Sequence, residues 1–226
     1  MATTTNPWLD IPLDDYERHM SHDLVGQASL LNSLTKKYLD KIKPETAVFL
    51  GIAGGNGLEH IDNNITRAVY GVDINPGYLN TASVRYKEAI QTLQLINLDI
   101  VKNSETICRA DFVWAALVLE YTGIDNALAF SANNIRKDGH LVISIQSNNN
   151  IQSISPTGIE TVKKAGEIFS IINPEELLGK AVEAGFRLMG KEENLLPNGK
   201  SIITFHFKSP QAPPDLKPGI PSVRIL

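Results

Sequence analysis

The sequence predicts an α/β protein built on a doubly wound sheet of seven strands, mostly parallel and ending in an antiparallel C-terminal hairpin. Short apolar runs at residues 47–52, 68–72, 93–98, 111–118 and 141–145 lack in/out alternation, as strands buried on both faces do. Helical stretches at 58–63, 76–90 and 125–135 lie between them, and a parallel crossover needs such a helix to return the chain. The last two runs, 186–190 and 201–208, are separated by a turn at Pro197, Asn198 and Gly199, too short for a crossover, so this pair is antiparallel.

Ahead of the sheet, Leu24, Val25, Ala28, Leu31, Leu34, Tyr38, Leu39 and Ile42 recur at helical spacing, which predicts one amphipathic helix over 14–43, ended by Pro44. Residues 1–45 therefore read as a helical cap and 46–208 as the sheet domain. After the fifth strand comes a polar stretch, 146–153, then an extra helix over 157–170. Asn173, Pro174 and Glu176 form an N-cap, a first-turn proline and a capping-box acid ahead of a helix through 177–184, which Gly185 closes. The segment 209–226, with Pro210, Pro213, Pro214, Pro218 and Pro221, reads as an extended surface tail.

Composition narrows the function. A chain of 226 residues, 42% hydrophobic, buries one sizeable core, so one domain is expected. A net charge of −4 gives no basic footprint for nucleic acid. The lone Cys108 excludes an internal disulfide and any cysteine metal cluster, and His19 with His22 lacks a third nearby ligand, so no metal site is expected. Nothing approaches the ~18 apolar residues of a membrane span, and no basic flank precedes an apolar run at the N-terminus. A cytoplasmic protein without membrane partners is expected, its oligomeric state left open.

The chemistry concentrates where the first strand meets a glycine cluster. Gly51, Ile52, Ala53, Gly54, Gly55, Asn56 and Gly57 connect strand to helix at the edge of the sheet where ligands of open α/β folds bind. An ordinary turn needs one glycine, not three in the four residues 54–57. The dinucleotide fingerprint G-x-G-x-x-G fits this loop in no register, which weighs against a nicotinamide cofactor. Asp73 closes the second strand sixteen residues after Gly57, and a carboxylate there offers acceptors to both hydroxyls of a ribose. Asn75 before Pro76 is the better helix cap, which frees Asp73 for a ligand.

This loop resembles motif I of class I S-adenosylmethionine-dependent methyltransferases, whose acidic-x-Gly-x-Gly-x-Gly pattern falls on Gly51, Ala53, Gly55 and Gly57. Gly51 stands where that family usually has an acid, and Ala53 replaces the first glycine. Gly71-Val72-Asp73-Ile74-Asn75-Pro76 is similar to the family's motif II, with Ile74 placed to pack on adenine. The resemblance implies a Rossmann-like fold, Gly54 beside the cofactor, and Asp99 and Ile100 at the adenine. It also implies a motif IV strand ending at Glu120 and Tyr121, beside the transferred methyl.

Glu120 and Tyr121 are therefore the first catalytic candidates, able to orient or deprotonate an acceptor, with Glu120 or a backbone carbonyl also open to receive the cofactor's ammonium. His19 is the third, because it shares a helix face with His22 and Tyr16 and suits proton transfer near neutral pH. The run from Tyr16 to Met20, with the Gly54-to-His60 segment, looks like a bacterial branch of small-molecule methyltransferases. The expected activity is methyl transfer from S-adenosylmethionine to a small molecule. A NAD-linked oxidoreductase and a non-catalytic S-adenosylmethionine-binding module are the alternatives.

Overall fold

Residues 6–210 are described by a computed structural model of the chain. Seven runs form strands: β1 (Thr46–Leu50), β2 (Ala68–Asp73), β3 (Leu93–Asn97), β4 (Ala110–Ala116), β5 (Ile135–Ser147), β6 (Arg187–Leu195) and β7 (Ser201–Lys208). They make one sheet in the order β3-β2-β1-β4-β5-β7-β6. The first five pair in parallel, and β7 enters antiparallel between β5 and β6. This is the doubly wound arrangement the buried apolar runs predict. The order reverses between β1 and β4, the switch point at which the carboxyl ends of neighbouring strands open a crevice.

Both faces of the sheet are covered, and the pleat of β1 shows how. Val48 and Leu50 join Val113, Ala115, Leu141 and Phe205 on one face, packed by α5 (Ile124–Asn134) and α6 (Pro174–Glu183). Ala47 and Phe49 join Phe112 and Trp114 on the other, where Leu31, Leu34 and Tyr38 cover them. Those three residues belong to the N-terminal segment, so the cap shares the sheet's core. Edge position relaxes the pattern: β6 alternates between exposed and half-buried residues, while β7 beside it is buried almost throughout.

Several boundaries differ from expectation. The helix predicted over 14–43 is two, α1 (Leu13–Ser21) and α2 (Gln27–Ile42), broken at Gly26, whose φ is +64°. The N–H groups of Val25 and Gly26 both donate to the His22 carbonyl, so the chain turns there. Leu24 is consequently 51% exposed while Val25 is 1% exposed, although both fit a continuous apolar stripe. The stretches at 58–63 and 157–170 supply only short 3-10 turns, Leu58–His60 and Thr161–Glu167. α3 (Pro76–Tyr86) stops four residues before the predicted end at 90, and β5 starts at Ile135, six residues before the predicted 141. β4 stops at Ala116, two residues before the predicted 118, and a short helix, α4 (Leu119–Thr122), follows it.

Of the proline-rich tail only Ser209 and Pro210 are described, so the expectation for 211–226 lies outside the described residues. Among the described residues no helix is long and apolar enough to cross a membrane.

Candidate functional site at the carboxyl edge of the sheet

Gly51 follows β1 directly with φ +63°, and a Cβ there would lie 2.6 Å from the Val118 Cγ2. The acid usual in motif I would need both a left-handed side-chain residue and a displaced Val118. Its ordering task falls to Asp73. The Ala53 N–H donates to Asp73 Oδ2 at 2.9 Å, which holds Ala53 at φ +47°, and the Asn75 N–H donates to Oδ1 at 2.9 Å. Asp73 is 8% exposed; burial raises its pKa, and the N–H groups of Asn75, Ala53 and Ile74 offset part of that rise. Beyond these N–H groups the carboxylate keeps acceptor capacity for a further donor.

These residues border a cleft whose empty space, open solvent at its mouth included, is about 730 Å³. Gly51, Ala53, Asp73, Ile74, Asp99, Ile100 and Tyr121, all singled out in the sequence, line it together. Leu98, Val101 and Val118 add apolar wall. Asp99 is steadied by the Val101 N–H on Oδ1 at 3.0 Å and by the Lys102 ammonium 3.1 Å from Oδ2. The remaining glycines are used differently. Gly54 lines a neighbouring cavity with Glu17 and Arg85, whose carboxylate and guanidinium pair directly over it. Gly55 and Gly57 line neither; their missing Cβ atoms leave room for Tyr86 and Thr35, 2.6 and 2.7 Å away, so both let the loop pack on its helices.

The N-terminal cap borders the first cavity, and of the residues it brings there sequence reasoning singled out Tyr16 but not Trp8. Trp8 and Tyr78 line it beside Tyr16. The Asn75 Nδ2 donates to the Trp8 carbonyl at 2.8 Å and the Tyr78 hydroxyl to the Ile11 carbonyl at 2.9 Å, stitching the chain start to α3. Asn75 also caps α3, accepting from Gly77 N at 2.8 Å and Tyr78 N at 3.3 Å. Asn75→Ala is expected to cost about 1 to 2 kcal/mol, lowering the midpoint of thermal unfolding by about 2 to 8 °C in a scanning calorimeter.

A third, smaller cavity adjoins the first. Trp8, Tyr16, Leu117 and Tyr121 line both, so they form the partition. Leu117 holds φ +55°, a left-handed conformation costly for a branched side chain and of the kind that collects at ligand sites. His19 lines this third cavity, its Nδ1 2.8 Å from the Thr157 Oγ1. Burial, then the charges of Lys200 and His22, push the His19 imidazole down to about 4, so it is neutral at pH 7. Lys200 stands in the same wall, donating to the Ser153 carbonyl at 2.7 Å and the Ser155 Oγ at 3.1 Å.

Glu120 borders none of these cavities. It is 1% exposed, its Oε1 accepts the Gln146 N–H at 2.7 Å, its Oε2 has no partner among the described residues, and burial pushes its carboxyl up to about 7. α4 begins with Leu119, and this turn carries Tyr121 into the partition while directing Glu120 inward.

No family profile and no curated protein matches the chain. Solved structures do share its fold. The magnesium protoporphyrin IX methyltransferase ChlM from Synechocystis PCC 6803, with bound S-adenosylmethionine, superposes with a TM-score of 0.66 at 13% identity over 92% of this chain and 99% of that one. The N-methyltransferase NodS from Bradyrhizobium japonicum WM9, in complex with S-adenosylhomocysteine, gives 0.62 at 16% identity over 91% and 100%. The 4+2 cyclase SpnF gives 0.62 at 12% identity over 80% and 81%. The architecture is therefore the Rossmann-like one of class I methyltransferases, and at these identities the likeness is one of fold.

Proposed function

We propose that the protein binds S-adenosylmethionine in the first cavity and transfers its methyl group to a small molecule held in the third. The observation that carries this reading is Asp73: one carboxylate at the end of β2 orders the glycine loop through the Ala53 N–H and faces the cavity with acceptor capacity to spare. It is suited to the two hydroxyls of a ribose, with Ile74, Leu98 and Ile100 as an apolar slot for adenine and Asp99 as acceptor for its amino group. Glu17 and Arg85, in the cavity beside Gly54, offer an acceptor and a donor for an amino-acid tail. Glu17 supplies the acceptor that Gly51 lacks.

When bound, S-adenosylmethionine supplies an electrophilic methyl carbon: the acceptor's lone pair forms the new bond while the carbon–sulfur bond breaks, its electron pair staying on sulfur. The chain's own contribution is chiefly positioning. Trp8, Tyr16, Leu117 and Tyr121 hold the acceptor against the cofactor and exclude water. Tyr121 is aimed by the α4 turn, and Glu120 fixes that turn to β5 through Gln146 without touching either reactant. If the acceptor must lose a proton, His19 is the base on hand, neutral at pH 7 and held by Thr157.

Titration calorimetry tests the reading. S-adenosylmethionine and S-adenosylhomocysteine are each expected to bind with saturable heat and one-to-one stoichiometry, whereas NAD gives none. An absence of saturable heat with both would sink it. Because the fold also houses a cyclase, formation of S-adenosylhomocysteine is the readout that separates methyl transfer from cofactor binding alone.

A further inference from the structure

The third cavity has a charge pattern that the fold does not require. Lys200 is 1% exposed, yet its ammonium is held only by a backbone carbonyl and a serine hydroxyl, both neutral, and it makes no ion pair among the described residues. Buried ammonium groups are costly unless paired, and a lysine carries three N–H donors, of which two are used here. None of the residues lining the cavity is an aspartate or glutamate. The nearest buried acid by connectivity, Glu120, is bonded to the Gln146 backbone and stays outside the lining. His19 across the cavity is neutral, and Lys200 itself is pushed down by burial only to about 8, which leaves it charged at pH 7.

Four aromatic rings, Trp8, Tyr16, Tyr121 and Phe169, stand in the same wall among aliphatic and polar side chains. Trp8 meets Tyr121 edge to face at 4.9 Å between centroids, and Tyr121 meets Phe169 in the same way at 5.7 Å. With Tyr16 they make flat, apolar surfaces that suit a planar ligand. Lys200 lines only the third cavity, whereas the aromatic partition reaches the first, so a ligand anchored at the ammonium extends its ring toward the cofactor.

We propose that the third cavity selects an acceptor with an aromatic or similarly planar body and a carboxylate, the carboxylate pairing with Lys200 and the ring lying against the aromatic cluster of Trp8, Tyr121 and Phe169. This rests on the reading that the first cavity holds S-adenosylmethionine. Nothing else in the cavity supplies the negative charge that the lysine lacks.

The experiment uses the full chain saturated with S-adenosylhomocysteine, whose own binding is measured first. Benzoate and phenylacetate are titrated against their uncharged counterparts benzamide and phenylacetamide, by calorimetry and by quenching of tryptophan fluorescence. The acids are expected to bind at least tenfold more tightly than the amides. Lys200→Met is expected to abolish that preference with the affinity for S-adenosylhomocysteine unchanged, and Lys200→Arg to retain part of it. Acid and amide binding equally, or neither binding while S-adenosylhomocysteine does, would overturn the proposal. Should Lys200→Met fail to fold, the preference in the parent protein decides it alone. A protein that takes up no S-adenosylhomocysteine refutes the cofactor reading instead, so the two failures are told apart.

Discussion

Asp73→Ala is expected to weaken S-adenosylhomocysteine binding by a hundredfold or more. Two ribose hydroxyls donating to a carboxylate are charge-assisted bonds, each worth about 1.5 to 3 kcal/mol, so losing both takes about 3 to 6 kcal/mol from the affinity. Even the lower figure is more than a hundredfold in Kd. A second effect adds to the first: the Ala53 and Asn75 N–H groups lose their acceptor, and Ala53 at φ +47° loses what holds it in a left-handed conformation. Asp73→Asn separates the two. It keeps one oxygen for the Ala53 N–H if the amide is oriented that way, and should retain the melting temperature better than the alanine variant while still losing ribose affinity. Calorimetric titration beside thermal unfolding makes the distinction. A folded Asp73→Ala protein with parental affinity would show that the cavity holds its ligand by other groups.

Why Asp73 was legible in the sequence, while Lys200 and Trp8 were not, has a physical answer. The glycine loop, the strand-terminal acid and the helix cap at Asn75 are local devices: their spacing is fixed by one strand and one turn, so a short window contains the geometry. Strands β1, β2 and β4 were equally plain because burial on both faces suppresses alternation. The third cavity is assembled from residues nearly two hundred positions apart, Trp8 and Lys200 among them, and no local pattern encodes that meeting. Glu120 and Tyr121 were found as a pair but are placed differently, since one turn of α4 sends adjacent side chains to opposite sides, Tyr121 into the cavity wall and Glu120 into the interior. The misread helix is instructive in another way. Leu24 continues an apolar spacing across a break that Gly26 announces, and periodicity outweighed the one residue able to adopt φ +64°.

Glu120→Gln is expected to gain stability relative to the parent as pH rises, by about 2 to 3 kcal/mol between pH 5 and pH 8. Burial raises the Glu120 carboxyl from 4.5 to about 7, so between these values the folded chain keeps a proton that the unfolded chain has released. Where the native state binds more protons than the unfolded state, stability falls as pH rises, and the loss is complete once pH exceeds the folded value. Glutamine resembles the protonated acid at every pH, so the variant lacks this fall. His19 and His206, both pushed by burial down to about 4, bend the curve the opposite way between there and their ordinary range, but they are present in both proteins and cancel in the difference. The amide introduces a buried N–H2 at the unpartnered Oε2 position, a cost of about 1 to 3 kcal/mol that is independent of pH and shifts the whole difference without changing its slope. Urea unfolding of both proteins at pH 5, 6, 7 and 8 measures it. Parallel stability curves would mean that Glu120 is ionised in the folded state at all four values, and that its buried Oε2 finds a compensating partner in solution.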